Sequence, residues 1–148
     1  MGIDKYLIPA TLSIALAQRL VRRLCDACKE AVPASKEIRE LMIKELESAP
    51  PSLQKQLAPH LSNKESIQVY KAVGCKKCGG SGYSGRIGIF EVMEMTSGLA
   101  AIILSGPTKA KITEELKAQG MVTMAQDGFA KVLDGVTTPE EILQQTGE

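Results

Sequence analysis

"GCKKCGGSGYSGRIGIFE", residues 74–91, sets two cysteines among six glycines and runs straight into an apolar, β-branched segment. Two thiolates separated by two residues can turn back onto one tetrahedral ion, and glycine lets the chain take the positive φ that such a turn requires. Cys75-Lys-Lys-Cys78 is therefore half of a metal site. The other half is Cys25-Asp-Ala-Cys28, 46 residues earlier, and the two pairs use all four cysteines of the chain. The spacing is wider than the roughly 15–20 residues of a simple zinc ribbon, so a folded segment must fill the gap.

Other chemistries for these cysteines are two disulfides, buried thiols that bind nothing, or a redox dithiol. The opening residues carry no secretory leader pattern, so reduced, metal-binding thiols are expected. A thioredoxin-like dithiol would account for one pair and leave the other unexplained. His60 is the only histidine, and four cysteines already close a tetrahedron, so it is expected at the surface.

A chain of 148 residues with 44% hydrophobic and 24% charged residues can bury one core, or one core and a small satellite. The net charge of +1 provides no general attraction to nucleic acid or anionic lipid. Arg19, Arg22 and Arg23 then form a solvated or ion-paired face. No tryptophan and only 3% aromatics leave no stacking platform for single strands, and no run of about 18 apolar residues spans a membrane.

Along the chain, Leu12, Leu16, Leu20 and Leu24 recur every four residues and by periodicity read as a helix running into the first cysteine pair. Ser35 is a candidate cap for a helix carrying Ile38, Leu41, Met42 and Leu46 on one face, with Glu40 and Lys44 as an i,i+4 pair. Pro50-Pro51 ends it. A short helix over about 52–61 precedes the strand-like "SIQVYKAV" that delivers Cys75.

Beyond the second pair, "RIGIFEVMEM" (86–95) is apolar on both faces and reads as a buried strand. The remainder is helical: a helix over about 109–119 ending at Gly120, then an apolar stripe through Ala125, Phe129, Val132, Leu133 and Val136. Thr138-Pro-Glu-Glu141 has the form of a capping box with proline in the first helical position. No GxxxxGK[ST] phosphate loop, HExxH or plausible Ser/His/Asp set is present, so no catalytic and no nucleotide-binding residue is assigned.

Three motifs in this order, "LAQRLVRRLCDACKE", "VYKAVGCKKCGGSGYSGRIGIFEVMEM" and "GMVTMAQDGFAKVLDGVTTPEEILQQT", resemble the C-terminal region of the ATPases that drive type IV pilus assembly and type II secretion. The resemblance spans nearly the whole chain and is weakest over about 30–65. It implies an α+β, mainly helical fold: a fragment of a RecA-like motor domain with a tetracysteine zinc insertion and a C-terminal helical bundle. The implied domains are 1–24 (end of the motor core, helix then strand), 25–85 (zinc insertion), 86–95 (returning strand) and 96–148 (C-terminal helical subdomain).

The resemblance also implies that Cys25, Cys28, Cys75 and Cys78 are the ligands of a structural Zn2+. "MGIDKYL" looks like the middle of a longer polypeptide, and the phosphate loop, Walker B carboxylates and arginine fingers are expected upstream. ATP and Mg2+ thus belong to a hexameric, cytoplasmic parent at the inner face of the membrane, and this fragment is noncatalytic. Implied partners are the upstream ATPase domains, neighbouring subunits and the inner-membrane platform protein, with no nucleic acid. In such proteins "AQRLVRRL" enters the sheet beside "GRIGIFEVM", so the first helix is expected to end near Ala17 and a strand to begin near Gln18. The C-terminal helices are expected to pack on one another and on these strands, independently of the zinc module. The second cysteine pair, with Gly80 and Gly82, also fits the CxxCxGxG repeat of the J-domain chaperones' cysteine-rich module, a competing reading that the glycine-free "KEAV" after Cys28 weakens.

Overall fold

The computed structural model describes residues 4–147. A short helix α1 (Leu7–Thr11) leads into β1 (Ile14–Leu24), and the first cysteine pair turns the chain into β2 (Lys29–Pro33). Helices α2 (Lys36–Glu47) and α3 (Pro51–Leu61) follow, then β3 (Gln68–Ala72), the second cysteine pair and β4 (Tyr83–Glu94). The chain ends in α4 (Ser97–Ser105), α5 (Lys109–Ala118), α6 (Met124–Leu133) and α7 (Pro139–Thr146). The α+β class expected from the sequence is what is observed, with the strands in two antiparallel ribbons, β1–β4 and β2–β3.

The first strand is longer and the first helix shorter than expected. β1 begins at Ile14 rather than near Gln18, and α1 stops at Thr11 rather than near Ala17. Pairing is continuous from Ile14↔Glu94 to Arg22↔Arg86. A leucine every fourth residue lies on one face of a helix but also on one face of a strand, because four is a multiple of the strand's period of two. The pattern did not discriminate, and the long-range ladder decided.

β4 is less buried than its composition suggested. Ile89 is fully buried, whereas Phe90 and Val92 on the opposite face are 38% and 46% exposed. Across the ladder Val92 faces Leu16 and Phe90 faces Gln18, and Leu16 is 59% exposed. One face of the β1–β4 ribbon is therefore an uncovered apolar surface, and β1 has no partner strand on its other edge among the described residues.

Ser35 caps α2, its hydroxyl accepting the Ile38 N–H at 3.3 Å, as expected. Glu40 instead pairs with Lys36, at 4.0 Å, rather than with Lys44. The segment between the cysteine pairs does not stand apart from the C-terminal helices. Met42, Leu46, Leu57 and Val69 lie in one continuous core with Phe129 and Leu133 of α6 and Ile142 of α7. The buried Gln126 amide donates to Glu45 O (3.2 Å) and Ser48 Oγ (3.1 Å), pinning α6 to the end of α2. This corrects the expectation that the C-terminal helices pack only on one another and on the strands: the apolar faces of α2 and α3 need a partner, and α6 supplies it.

Candidate metal centre

The two cysteine pairs meet where the ribbons end. Leu24 lies opposite Tyr83 at the end of the β1–β4 ladder, and Lys29 opposite Ala72 at the end of β2–β3. Antiparallel pairing puts the end of β1 beside the start of β4 and the start of β2 beside the end of β3, so Cys25, Cys28, Cys75 and Cys78 converge although 46 residues separate the pairs. The Cys25 N–H donates to Gly82 O at 2.9 Å and carries the β1–β4 pairing one step further toward the cysteines.

The four Sγ atoms lie within 4.8 Å of one another. Individual separations are 4.0 Å for Cys25–Cys75, 3.9 Å for Cys28–Cys78 and 3.8 Å for Cys75–Cys78. Four sulfurs each about 2.3 Å from a tetrahedral ion sit about 3.8 Å apart, so this donor set fits a metal ion such as zinc. No pair is joined in a disulfide.

Each pair is shaped by its own turn. Cys28 N–H and Lys29 N–H both donate to Cys25 O, at 3.1 and 2.9 Å. Cys78 N–H and Gly80 N–H both donate to Cys75 O, at 3.2 and 2.9 Å. Positive φ occurs at Gly74, Gly79, Gly80 and Gly82, as the glycine-rich sequence led us to expect. Gly74 and Gly82 are the most constrained: with φ +99 a Cβ on Gly74 would lie 2.4 Å from Gly80 O, and with φ +77 a Cβ on Gly82 would lie 2.6 Å from the Ala72 Cβ. At Gly82 the chain needs glycine both for backbone conformation and for the close approach of β3.

Two backbone donors point at one sulfur. Cys75 N–H and Gly82 N–H donate to Cys78 Sγ, at 3.1 and 3.2 Å. These bonds favour the thiolate and hold the Cys78 thiol at about 6, whereas Cys28 is pushed up to about 12, chiefly by burial and then by its neighbouring thiols. Gly80 and Gly82, which suggested the chaperone repeat, thus have roles internal to this turn.

Next to the cluster lies a second polar group that the sequence did not reveal. Arg22 reaches Glu141 with its guanidinium at 2.6 Å and its backbone N–H at 2.9 Å, and stacks over the Tyr83 ring at 4.0 Å. Glu141 is only 5% exposed. Burial pulls its carboxyl upward, but the bonds and charge of Arg22 prevail and hold it below its ordinary value; the Arg22 guanidinium is raised in turn, chiefly by its bond to Glu141. The capping box expected at Thr138 is therefore not made. Thr138 forms no side-chain cap bond, its hydroxyl lying 3.4 Å from the Tyr83 hydroxyl, and the carboxylate that would complete the box serves Arg22. The box occurs instead at Thr123 and Gln126, a T-x-x-Q pattern legible in the sequence but not singled out. Of the arginine cluster, Arg22 and Arg23 are ion-paired, Arg23 on Asp26 at 2.8 Å. His60 is half-exposed, 3.3 Å from Asp134.

No helix among the described residues is long and apolar enough to cross a membrane. Residues 1–144 match the family described as Type II/IV secretion system protein. The chain is 36% identical over its whole length to the type IV pilus assembly ATPase PilB of Thermus thermophilus, covering 15% of that protein. It is 36% identical to the PilB of Myxococcus xanthus over 99% of this chain and 23% of that protein. It is also 35% identical to the type II secretion system ATPase E of Vibrio cholerae, over all of this chain and 26% of that protein. The chain thus spans about a quarter or less of the relatives it matches. With its three sequence motifs, the tetracysteine cluster they enclose and a match over nearly its full length, this chain belongs to the type II/IV secretion system protein family.

Proposed function

We propose that this chain is the zinc-binding C-terminal region of a hexameric, RecA-like ATPase that powers type IV pilus assembly or type II protein secretion, with Cys25, Cys28, Cys75 and Cys78 holding one structural Zn2+. The observation that carries this reading is the convergence of four sulfurs within 4.8 Å in a chain whose relatives are named as pilus-assembly and type II secretion ATPases. Bound Zn2+ would cross-link four thiolates and tie together the ends of two two-stranded ribbons, each marginal on its own.

In this reading residues 1–24 close the motor core, 25–85 form the zinc insertion, 86–95 return to the motor and 96–148 form the C-terminal helical subdomain. The meeting of the insertion's two ends supports it, with the Cys25 N–H on Gly82 O at 2.9 Å. The uncovered face bearing Leu16, Leu20, Phe90 and Val92, beside the unpaired edge of β1, supports placing these strands in the larger sheet of a parent motor. The upstream ATPase domains and neighbouring subunits would cover that face. ATP and Mg2+ act only in the parent, so the role of this region is structural and docking, at the cytoplasmic side of the membrane, where the platform protein is the candidate partner.

Metal analysis of freshly purified, reduced protein tests the proposal. The expected result is one zinc per chain, lost in the Cys75→Ser variant. Substoichiometric zinc, or two disulfides in the reduced protein, would overturn it.

A further inference from the structure

The segment that delivers the first ligand pair also carries the turn between α6 and α7. Leu24, beside Cys25, donates its N–H to Val136 O at 2.8 Å. The Thr137 hydroxyl donates to Arg22 O at 2.8 Å, and the Arg22 guanidinium and N–H reach Glu141. On the far side of the same ligand pair, Lys29, beside Cys28, donates its Nζ to Gly135 O at 2.8 Å while lying 5.3 Å over the Tyr70 ring. Tyr83, beside the Gly82 that donates to Cys78, places its hydroxyl 3.4 Å from Thr138 Oγ1. Residues adjoining the candidate ligands therefore grip 135–141 from both sides. The fit is close: a Cβ on Gly135 would come within 2.6 Å of the Tyr70 ring.

We propose that the metal centre positions the α6–α7 turn, so that metal occupancy sets how firmly residues 135–141 are held against β1 and β2. The inference rests on the zinc reading above. β2 and β3 are five residues each, and their pairing ends at Lys29 and Ala72, next to the two cysteine pairs. A tetrahedral ion fixes the backbone from Leu24 to Lys29, and with it the points from which the Leu24 amide and the Lys29 ammonium reach the turn. Without the ion no covalent link joins the four sulfurs, and the Leu24 and Lys29 donors are held only from the ends of their ladders. Linkage makes the effect reciprocal: whatever the metal contributes to holding the turn, the turn contributes to metal affinity. Arg22, Lys29 and Thr137 are positioning residues in this scheme and do not ligate.

Thr137 is the cleanest probe, because it is fully buried, bonds Arg22 O and carries no metal-ligating atom. Zinc affinity of the full chain is measured by competition with a chromophoric chelator for the unmodified protein, Thr137→Val and Thr146→Val. The last is a control, since its hydroxyl bonds Ile142 O at the far end of α7. The expected result is a zinc affinity reduced on the order of 5-fold in Thr137→Val and unchanged in Thr146→Val. Zinc removal should also speed amide exchange at Leu24 and Arg22 in the unmodified chain. Lys29→Met, which keeps the aliphatic stem and deletes the ammonium, is the second variant should Thr137→Val not fold, and carries the same expectation. Zinc binding as tight in the folded variant as in the unmodified chain, or Leu24 exchange indifferent to zinc, overturns the coupling alone. Absence of zinc uptake by the unmodified chain overturns the coupling and the zinc reading together.

Discussion

Met42 lies on α2, between the two cysteine pairs, and is fully buried in the same core as Phe129 of α6. Substituting Met42→Ala in the zinc-loaded protein asks whether the insertion and the C-terminal helices form one cooperative unit. Truncation removes three heavy atoms beyond Cβ from a site with no exposure, a transfer loss of about 2.4 kcal/mol at about 0.8 kcal/mol per group. The cavity left behind raises the expected total to about 3–4 kcal/mol, within the range for buried Met→Ala changes. Gln126, whose amide bridges α6 to Glu45 O and Ser48 Oγ, ties the two helices further. The assay is native-state amide exchange. In a shared core, amides in the middle of α2 and of α6 should both exchange several hundredfold faster, since both open only with the core. Faster exchange in α2 and α3 with Phe129 and Val132 amides unmoved would refute the reasoning and restore a separable insertion.

Gly82→Ala should weaken zinc binding about 10- to 100-fold, because the added Cβ meets Ala72 and displaces the N–H from Cys78 Sγ; chelator competition checks it. Glu141→Ala should cost about 1.5–3 kcal/mol at neutral pH, the range for hydrogen bonds to a buried charged group. The Glu141 carboxyl is held below its ordinary value in the folded chain, so its contribution is full above the unfolded value near 4.5 and lost as pH falls through the folded value. Urea midpoints of the two proteins should therefore converge in acid and differ by a constant amount from pH 6 to 8. The chain by itself should bind no ATP at micromolar concentration in calorimetry, since its sequence contains no GxxxxGK[ST] loop to cradle the β and γ phosphates.

Much of the candidate site was legible in the sequence, because metal-ligand spacing is a local property. Two residues between cysteines set the reach of one turn, and the glycines at 74, 79, 80 and 82 announced the positive φ that the turn adopts. Ser35 before a helical face and Gly120 after one were equally local and correctly placed those boundaries. The leucines at 12, 16, 20 and 24 could not choose between helix and strand, since a spacing of four satisfies both periods, and only pairing with β4 decided. Thr138 and Glu141 had the spacing of a capping box, yet a carboxylate goes where its strongest partner lies, and Arg22 is 119 residues away in sequence. The short strand Lys29–Pro33 carried no recognisable signal of its own and exists because β3 lies beside it. That α2, α3 and α6 share one core was likewise decided by tertiary structure alone: an apolar stripe states that a helix must be covered, and only packing determines which element covers it.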